Sequence, residues 1–497
     1  MKRLLRAALA LVGLLVVLAF ALYAVLRSPA ALALPERGAV LNDVTVIAPG
    51  VGRAEHRRLV VEGNAIASVD EANTAEAGAF AGMYVLPGLA DMHVHFPPAA
   101  LPGQTELFAF LFLYHGVLAV RDAGDVDGSA SDPARSGIVE GRFPGPRVKS
   151  CGPFVDGAPP LWKNSIVARN PEEGRQAAET VAARGYECVK AYNRLDAETL
   201  AAVRDAAHAQ GLKLIGHVPR RVPYETARLD DAQHLIGIPP QVAAEDTPFP
   251  LVLAEWESLD AARLESVIAE SKRSSIANTP TLVTIDRLIH SQDYARMLAE
   301  PDAQLLPRFY REVIWNPKTE TSAAGRMKPE DFAMVRRAFE IMKRTVRKLH
   351  DGGVAIHTGS DTLVAFVVPG ASLHRELRLL VDAGLRPEAA LALSTRDSTQ
   401  FLGVPRLGEL APGAPAELLI FRDDPTRSLD ALDSLAGVVR DGRLYPRAAL
   451  DAQLARYRSH YDGALYDAIV TPLVRRALAA TRGGGPSAAS DPELPDE

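Results

Sequence analysis

Two residue patterns that mark whole classes of protein are missing from this chain. It contains only two cysteines, Cys151 and Cys188, in 497 residues, which excludes a small disulfide scaffold and a cysteine-rich zinc module. Its formal charge of −6 is not accompanied by any long basic run, so nothing indicates a nucleic acid as partner. With 47% hydrophobic residues, the chain has enough apolar material for one large core and a smaller one.

The N-terminus has the composition of a membrane segment. Lys2, Arg3 and Arg6 precede an unbroken apolar run over residues 7–26, and Arg27 follows it. About twenty helical residues span the roughly 30 Å hydrocarbon core, whereas the apolar part of a signal peptide has about 7–15 residues. We expect a transmembrane signal-anchor over residues 1–30, with the catalytic body extracytoplasmic, or periplasmic in a bacterium.

The alternative is a cleaved signal peptide and a secreted protein. Ala31-Leu32-Ala33 resembles a small-x-small cleavage site, which would make the mature chain start near Leu34. Both interpretations export the body.

A buried strand that ends in two histidines is the most informative stretch of the chain. Apolar residues from Met83 lead through Pro87 to His93 and His95. Residues at positions i and i+2 of a strand point the same way, so both imidazoles face one side. Two nitrogen donors on a rigid strand can bind zinc. Taken alone, such a pair is more often two surface or core histidines.

Short apolar runs alternate with amphipathic helices after this strand. Helices are predicted at 172–184, at 196–210 with Asp196 as N-cap, and at 329–350. Further strands are predicted at 115–122, 146–151, 186–192, 212–217, 231–234, 275–283 and 354–361. Eight strands alternating with helices predict a (β/α)8 TIM barrel over 86–404, and the long stretch 239–329 predicts an added lid or loop.

Catalytic groups of such barrels lie where the strands end. The predicted strand ends carry six metal-competent or ionisable residues: His93, His95, Lys190, His217, His234 and Asp361. Each histidine alone can be a core residue with satisfied hydrogen bonds. All six at one rim are hard to explain by structure alone.

The chain resembles the amidohydrolase superfamily of metal-dependent hydrolases, and within it the branch of imidazolonepropionases and prolidase-like Xaa-dipeptidases. The resemblance covers about 39–450 and depends on PGLADMHVH, HGVLAVRDAG, FPGPRV, GYECVKAY, GLKLIGHVP, DDAQHLIG, HTGSD, PGASLHREL and GELAPGAPAELLIF. It implies a small β-sandwich built from both flanks of the barrel, at 37–85 and 405–447. Relatives usually have Ala-Asp-Leu where this chain has Ala416-Glu417-Leu418.

The resemblance also implies roles for the strand-end residues. His93 and His95 would bind a buried α metal, and His217 and His234 a β metal. Lys190 would be carboxylated by carbon dioxide and bridge two Zn²⁺ ions. Asp361 would contact the α metal and act as general acid and base toward a metal-bridging hydroxide.

Physical chemistry supports the assignment of Lys190 independently. Val189 and Ala191 flank it on an inner strand, where burial disfavours an ammonium and yields a reactive neutral amine. A carbamate would convert this residue into an anionic oxygen ligand. The alternative is an ammonium that reaches the rim and pairs with a carboxylate.

The expected reaction is hydrolysis of a C–N bond in a small molecule: a dipeptide, an N-acyl amino acid or a cyclic amide. Tyr192, two positions beyond Lys190, and Arg220 are candidates for binding the substrate, with loop packing as the alternative for each. We expect His357 to support the site from behind and His374 to be structural.

Three other functions stay open. A mononuclear deaminase would need an acid shortly after His217, where the chain has Val218-Pro219-Arg220. A mononuclear cyclic-amide hydrolase of imidazolonepropionase type conflicts with Lys190 and with export. A catalytically inactive barrel that acts as a binding protein would be expected to lack some of the six residues.

Three structural predictions complete the sequence analysis. Neighbouring barrel side chains often point apart, so we expect free thiols at Cys151 and Cys188 rather than a disulfide, although export would permit one. The amphipathic pattern of residues 448–480 predicts a helical extension that packs on the barrel or on a second subunit of a homo-oligomer. Residues 481–497, rich in Gly, Ser, Pro and acids, predict a disordered tail.

Overall fold

A computed structural model describes residues 2–73, 78–243, 247–319 and 323–483 of the chain. The described strands are β1 (Ala39–Ala48), β2 (Gly52–Glu62), β3 (Ala65–Glu71), β4 (Tyr84–Pro87), β5 (Leu89–Val94), β6 (Val117–Asp122), β7 (Arg147–Ser150), β8 (Phe154–Asp156), β9 (Ile166–Val167), β10 (Cys188–Ala191), β11 (Lys213–Gly216), β12 (Asp231–Gln233), β13 (Ala277–Thr279), β14 (Leu418–Phe421), β15 (Leu435–Arg440) and β16 (Arg443–Pro446). The described α-helices are α1 (Lys2–Leu26), α2 (Gln104–Tyr114), α3 (Ser131–Val139), α4 (Pro171–Ala183), α5 (Ala197–Ala209), α6 (Tyr224–Ala227), α7 (Phe249–Val252), α8 (Ala261–Arg273), α9 (Leu282–His290), α10 (Tyr294–Ala299), α11 (Pro329–Asp351), α12 (Ala371–Asp382), α13 (Pro387–Ala392), α14 (Ser398–Phe401), α15 (Arg447–Tyr461) and α16 (Ala464–Gly483).

Strands from both flanks of the central region form one seven-stranded sheet. Its order is β16-β15-β14-β4-β1-β2-β3, and β14 joins the C-terminal strands to β4 in antiparallel register, with Leu418 opposite Pro87. Leu41, Leu59 and Ile420 are buried in its own apolar core. The predicted domain boundaries themselves stay predictions.

The central region contains two parallel sheets flanked by helices. One has the order β5-β6-β7 and the other β13-β12-β11-β10-β8-β9. The amide of Glu187, just before β10, donates to the carbonyl of Ser150 in β7 at 2.8 Å. On the other side, segment 354–361 bonds to both sheets: the Asn278 amide donates to Ala355, and the Met92 amide donates to Thr358. Backbone hydrogen bonds therefore connect the two sheets at both edges.

The helices of this region begin where local sequence predicts. The side chain of Asp196 accepts from the amide of Thr199 at 2.7 Å, which caps α5. The side chain of Asn170 caps α4 in the same way, and Pro171 is its first residue. The long helix predicted over 329–350 is confirmed as α11.

The strand that runs into the two histidines is really two strands, so its prediction as one element is wrong. Gly88 separates β4, in the seven-stranded sheet, from β5, in a parallel sheet. The Gly88 amide donates to Glu417, and the next amide, of Leu89, donates to Gly116. A Cβ at Gly88 would lie 2.6 Å from Leu118 Cδ1, so the chain can cross between the sheets only with a glycine here.

Two predicted barrel strands are also wrong in extent. In the stretch 275–283 only β13 is extended, because Thr281 has a left-handed φ of 49° and α9 begins at Leu282. In the stretch 354–361 only Ile356 makes a β-bridge, to Asn278. Asp361 ends that segment with a φ of 62°, a conformation that stops a strand.

The expectation of free thiols is wrong as well. Cys151 and Cys188 form a disulfide with a Cα–Cα distance of 4.4 Å. Cys151 follows β7 and Cys188 opens β10, and the hydrogen bond between Glu187 and Ser150 brings these strand ends together. Ala123 and Ile215 bury the bridge.

The two chain ends add helices to this body. α1 contains an apolar segment, Leu9–Leu26, with a mean hydropathy of 2.9, and none of this segment is buried. The segment is long and apolar enough to cross a membrane, and a signal sequence would have the same properties. The predicted C-terminal extension is the pair α15 and α16, and Tyr457 of α15 packs on Phe110 of α2 at 5.2 Å between ring centroids. The first three residues of the predicted disordered tail, 481–483, belong to the end of α16. Residues 484–497 lie outside the described part of the chain.

Candidate metal centre

Three side chains converge at one end of β5. The Nε2 atoms of His93 and His95 lie 3.3 Å apart. One carboxylate oxygen of Asp361 lies 3.4 Å from the first and 3.3 Å from the second. These three residues form a group able to hold a metal ion.

Strand β5 and the segment after Thr358 are tied together by backbone and carboxylate. The amide of Asp361 donates to the carbonyl of His93 at 2.7 Å. Buried Asp91 accepts from the amide and the hydroxyl of Ser360. Asp361 itself has a left-handed φ of 62°, a conformation that aspartate adopts more readily than most residues. Its carboxylate is therefore held toward the histidines.

The other two predicted histidines lie beside this group. The His234 ring is 4.5 Å from the His93 ring and 4.8 Å from the His217 ring, between centroids. His234 follows β12 and, like Asp361, has a positive φ, of 59°. Its Nδ1 lies 3.9 Å from Asp361.

Hydrogen bonds orient three of the four imidazoles. Nδ1 of His95 donates to the Gly124 carbonyl at 2.6 Å, and Nδ1 of His217 donates to Asn193 Oδ1 at 2.7 Å. Nδ1 of His234 bonds to Thr281 at 2.7 Å. Each bond leaves Nε2 for another partner, which is how second partners orient metal-binding histidines.

Lys190 of β10 is buried close enough to His93, His217 and His234 for its charge to lower their pKa values. Its side chain is 1% exposed, and its Nζ donates to Gln233 Oε1. Within the residues that the structure describes, no ion pair involves Lys190. Burial lowers the pKa of Lys190 to about 7, the charge of Arg121 adds to this, and Asp361 and Asp231 oppose it. The predicted alternative, an ammonium paired with a carboxylate, therefore has no support in the described contacts.

The protonation states of Asp361 and of three of the four histidines suit cation binding. Burial holds the pKa values of His93 and His217 well below the ordinary value, and lowers that of His234 to about 4. Burial would raise the pKa of Asp361, but the hydrogen bond and charges of nearby histidines lower it. For His95, burial is outweighed by Asp361, and the pKa rises. Neutral imidazoles and an ionised carboxylate are the forms that bind metals.

The arrangement fits a divalent ion. Bonds of about 2.0–2.1 Å at tetrahedral angles place two ligand atoms about 3.3 Å apart, and the three donor atoms are 3.3–3.4 Å apart. His93 Nδ1 is buried and has no hydrogen-bond partner among the described residues, so the ring is oriented by packing and by whatever its Nε2 binds. The donor set, two nitrogens and a carboxylate oxygen, is one that Zn²⁺ accepts.

The two candidate substrate-binding residues have different surroundings. Tyr192 is half-buried and packs against His217, at 4.4 Å between ring centroids, and against Phe154 at 4.9 Å. The guanidinium of Arg220 is engaged by Glu255, at 2.8 Å and 3.1 Å. A substrate role for either residue stays a prediction, and the contacts of Arg220 are those of a loop ion pair.

Sequence reasoning missed the residues that hold the site from behind. Buried Asp231 accepts from Arg121 at 2.6 Å and contacts His357 at 3.1 Å, so His357 lies behind the site as expected. Asn193, Thr281, Gln233 and Asp91 were missed as well. Only Asp91 and Arg121 had a signal, because both are charged residues inside apolar strands.

Comparisons with known proteins point to one family. The profile of the Amidohydrolase family matches residues 84–445. Bottromycin amidohydrolase is similar in structure, with a TM-score of 0.69 at 23% identity, over 86% of this chain and 91% of that one. A putative prolidase from Bifidobacterium longum has a TM-score of 0.62 at 22% identity, over 85% of this chain and 99% of that one. A Xaa-Pro dipeptidase with methionine bound in its active site has a TM-score of 0.60 at 18% identity, over 82% and 100%.

At these identities the likeness to solved structures shows the fold alone, whereas the family profile covers most of the chain. The family implies a TIM-barrel-like fold and a hydrolase that acts on amide or peptide-like C–N bonds. The chain belongs to the amidohydrolase family.

Proposed function

We propose that the chain is a metal-dependent amidohydrolase that cleaves the C–N bond of a small substrate such as a dipeptide. The observation that supports this most is the spacing of 3.3–3.4 Å among His93 Nε2, His95 Nε2 and an Asp361 oxygen. In this proposal two Zn²⁺ ions are held by His93, His95, Lys190, His217, His234 and Asp361.

The chain's own residues have separate tasks in this reaction. Bound divalent metal lowers the pKa of a water molecule toward 7 and polarises a carbonyl. Asp361 is ionised, lies within 3.9 Å of the nearest nitrogens of three histidines, and accepts the proton of the attacking water. It then returns that proton to the leaving amine.

Lys190 is proposed to carry a carbamate that serves as an oxygen ligand. Burial, a pKa of about 7 and the single described partner Gln233 all favour a neutral, reactive amine. Growth with carbon-13 bicarbonate should give a carbamate signal in the metal-loaded protein. The signal should be absent from Lys190→Met, and its absence from the metal-loaded wild type as well would contradict the carbamate.

An aromatic wall next to the histidines favours a substrate with an apolar or ring-shaped part. Phe154 stacks on Trp162 at 6.0 Å between centroids and lies 6.2 Å from His95. Trp162, 37% exposed, hydrogen-bonds to Tyr192. The likeness to a prolidase and a Xaa-Pro dipeptidase supports dipeptides within this class. N-acyl amino acids and cyclic amides with an apolar side are further candidates.

The setting of the site is also proposed. The two parallel sheets, with segment 354–361 between β13 and β5, close into one (β/α)8 barrel over 86–404, next to a composite β-domain from 37–85 and 405–447. α1 anchors this body on the extracytoplasmic side of a membrane. The disulfide supports export, because such bonds persist in oxidising compartments.

The test is a hydrolysis screen of the zinc-loaded full chain with dipeptides, N-acyl amino acids and cyclic amides. Loss of a positioned acid–base group costs about 10²–10⁴-fold in rate, so Asp361→Asn should lose that much turnover. Exposed Asp70 supplies the matched control Asp70→Asn, which should keep wild-type turnover. Wild-type rates in Asp361→Asn would contradict the mechanism. If the wild type hydrolyses none of the three substrate classes, the chain is better explained as an inactive binding protein.

A further inference from the structure

The N-terminal helix leaves the body at the junction of α15 and α16. The Tyr461 hydroxyl lies 3.5 Å from Ser28 Oγ, and the Gln453 side chain donates to the Ala30 carbonyl at 2.9 Å. Val25 and Leu26 still pack against the body, and the described side chains upstream of them are exposed, as Phe20 with 73% exposure illustrates. Whatever surrounds α1 therefore lies close to α15 and α16.

Helix α16 has an apolar side that the described body does not cover. Leu465 is 63% exposed and Leu473 is 52% exposed, and Pro472 is exposed beside them. The opposite side is buried, with Tyr466 at 3% and Val470 at 3%. We call the exposed side the α16 stripe: Leu465, Ile469, Pro472 and Leu473. It begins four residues after Tyr461, next to the exit of α1.

The charges around the α16 stripe are unbalanced. Three acidic residues lie in α15, in α16 and in the short turn between them, and each pairs with an arginine: Asp451 with Arg447, Asp462 with Arg311, and Asp467 with Arg308. Four arginines of these two helices make no ion pair with any residue that the structure describes: Arg456, Arg458, Arg475 and Arg476. The arginines of this surface therefore carry positive charge that no described ion pair balances.

A cleft of about 850 Å³ lies between the last turn of α1 and α15. Arg27, Arg456, Ser28, Ser459 and His460 line it. Nε2 of His460 is buried and has no hydrogen-bond partner in the described chain. Two guanidinium groups, the Ser459 hydroxyl and an imidazole nitrogen can donate hydrogen bonds to a phosphate group. The Ser28 hydroxyl is hydrogen-bonded to the carboxyl group of Glu106, whose pKa burial raises.

We propose that the α16 stripe and its arginines rest on an anionic phospholipid bilayer, and that the cleft holds the phosphate of a lipid headgroup. The inference rests on the proposed anchoring of α1, because the same bilayer would surround both. Apolar side chains enter the interfacial layer while arginines meet anionic headgroups, as in helices that lie on a membrane. A partner protein could also cover the α16 stripe, but it would not explain why the stripe lies next to the exit of α1.

The test uses the full chain in vesicles of phosphatidylcholine with phosphatidylglycerol and nitroxide-labelled lipids. Because the two native cysteines are bridged, an added cysteine is the single free thiol for a fluorophore. Labels at Leu465→Cys and Leu473→Cys should be quenched. A label at Val139→Cys, 81% exposed on α3, is the matched control and should not be quenched.

A label at Phe20→Cys separates the two proposals. Quenching at Phe20 without quenching at the stripe would leave the anchor standing and overturn the inference. No quenching at Phe20 would overturn the anchor, and the inference with it. Equal quenching at Val139 would also overturn the inference, because the surface would then not be specific.

Two further arms test the charge and the cleft. Each basic residue near an anionic bilayer changes the docked-to-undocked ratio about fivefold, so Arg456→Gln should reduce that ratio by this factor, and neutral vesicles should reduce it further. Unchanged quenching in both would contradict the electrostatic part. Inorganic phosphate at constant ionic strength should leave quenching unchanged. If it reverses quenching, the cleft binds free phosphate, and the lipid assignment is wrong.

Discussion

Replacing Lys190 by methionine should make the metal-free chain more stable. The residue is 1% exposed, and its one described side-chain contact is with Gln233. The ammonium form is therefore desolvated without a carboxylate next to it, which costs free energy of folding. Methionine has a similar length and flexibility and carries no charge, so it should fill the same space.

The magnitude follows from the pKa. Burial lowers the pKa of Lys190 from 10.5 to about 7, and each tenfold change in proton affinity corresponds to about 1.36 kcal/mol. The folded chain therefore carries a penalty of about 5 kcal/mol well below pH 7 and about 4 kcal/mol at pH 7, which shrinks further as pH rises and vanishes near the ordinary pKa. Losing the hydrogen bond to Gln233 offsets about 1 kcal/mol. We expect Lys190→Met to gain about 3 kcal/mol at neutral pH.

The assay is urea unfolding of chelator-treated protein, followed by circular dichroism at several pH values. The gain should be largest below pH 7, and near pH 9 it should be smaller than at pH 7 by about 2–3 kcal/mol. Lys348→Met, at an exposed position of α11, should change little at either pH. A variant that is less stable than wild type, or a gain that does not vary with pH, would refute the assignment of Lys190 as an unpaired buried amine. With metal restored, the same variant should lose turnover.

Three further changes test other parts of the structure. Replacing both Cys151 and Cys188 by alanine should cost about 4 kcal/mol of unfolding free energy for a bridge across 37 residues; an unchanged urea midpoint would contradict this. Burial raises the pKa of Glu376 from 4.5 to about 8, so wild-type stability should fall as pH rises between these values, and Glu376→Gln should remove that fall. A wild-type urea midpoint that stays flat over this range would argue against a buried Glu376 proton. Because Glu255 engages Arg220, Arg220→Ala should lose about 3–5 kcal/mol and leave KM unchanged. A higher KM at unchanged stability would instead assign Arg220 to substrate binding.

Helices were predictable because their signals are local. Asp196 and Asn170 cap their helices with contacts three residues away, and the apolar positions of α11 follow helical spacing. No distant segment is needed to recognise these elements.

Features that depend on distant pairing were not predictable. Gly88 divides one apolar run between two sheets because its amide bonds to Glu417, far away in sequence. The stretch 354–361 has strand-like composition, but hydrogen bonds to β5 and β13 and the left-handed Asp361 shape it. The disulfide depends on how β7 meets β10, which spacing in the sequence does not reveal.

The candidate site was predictable in its chemistry but not in its support. Strand-end positions predicted the histidines, Lys190 and Asp361 as candidates, because parallel strands end on one side. The structure brings His93, His95 and Asp361 together, and the roles of all six residues stay predictions. Asn193 and Thr281 lie in loops, and each orients a histidine through one hydrogen bond. A polar loop residue has many possible partners in a sequence, so its partner becomes evident only from the fold.

The most direct test of the account is the zinc content of the purified full chain, measured by plasma mass spectrometry after dialysis against free zinc. We expect two zinc ions per chain in the wild type and loss of metal when His93 and His95 are both replaced by alanine. A wild-type chain that retains no metal, or an alanine variant that retains all of it, would contradict the proposed centre.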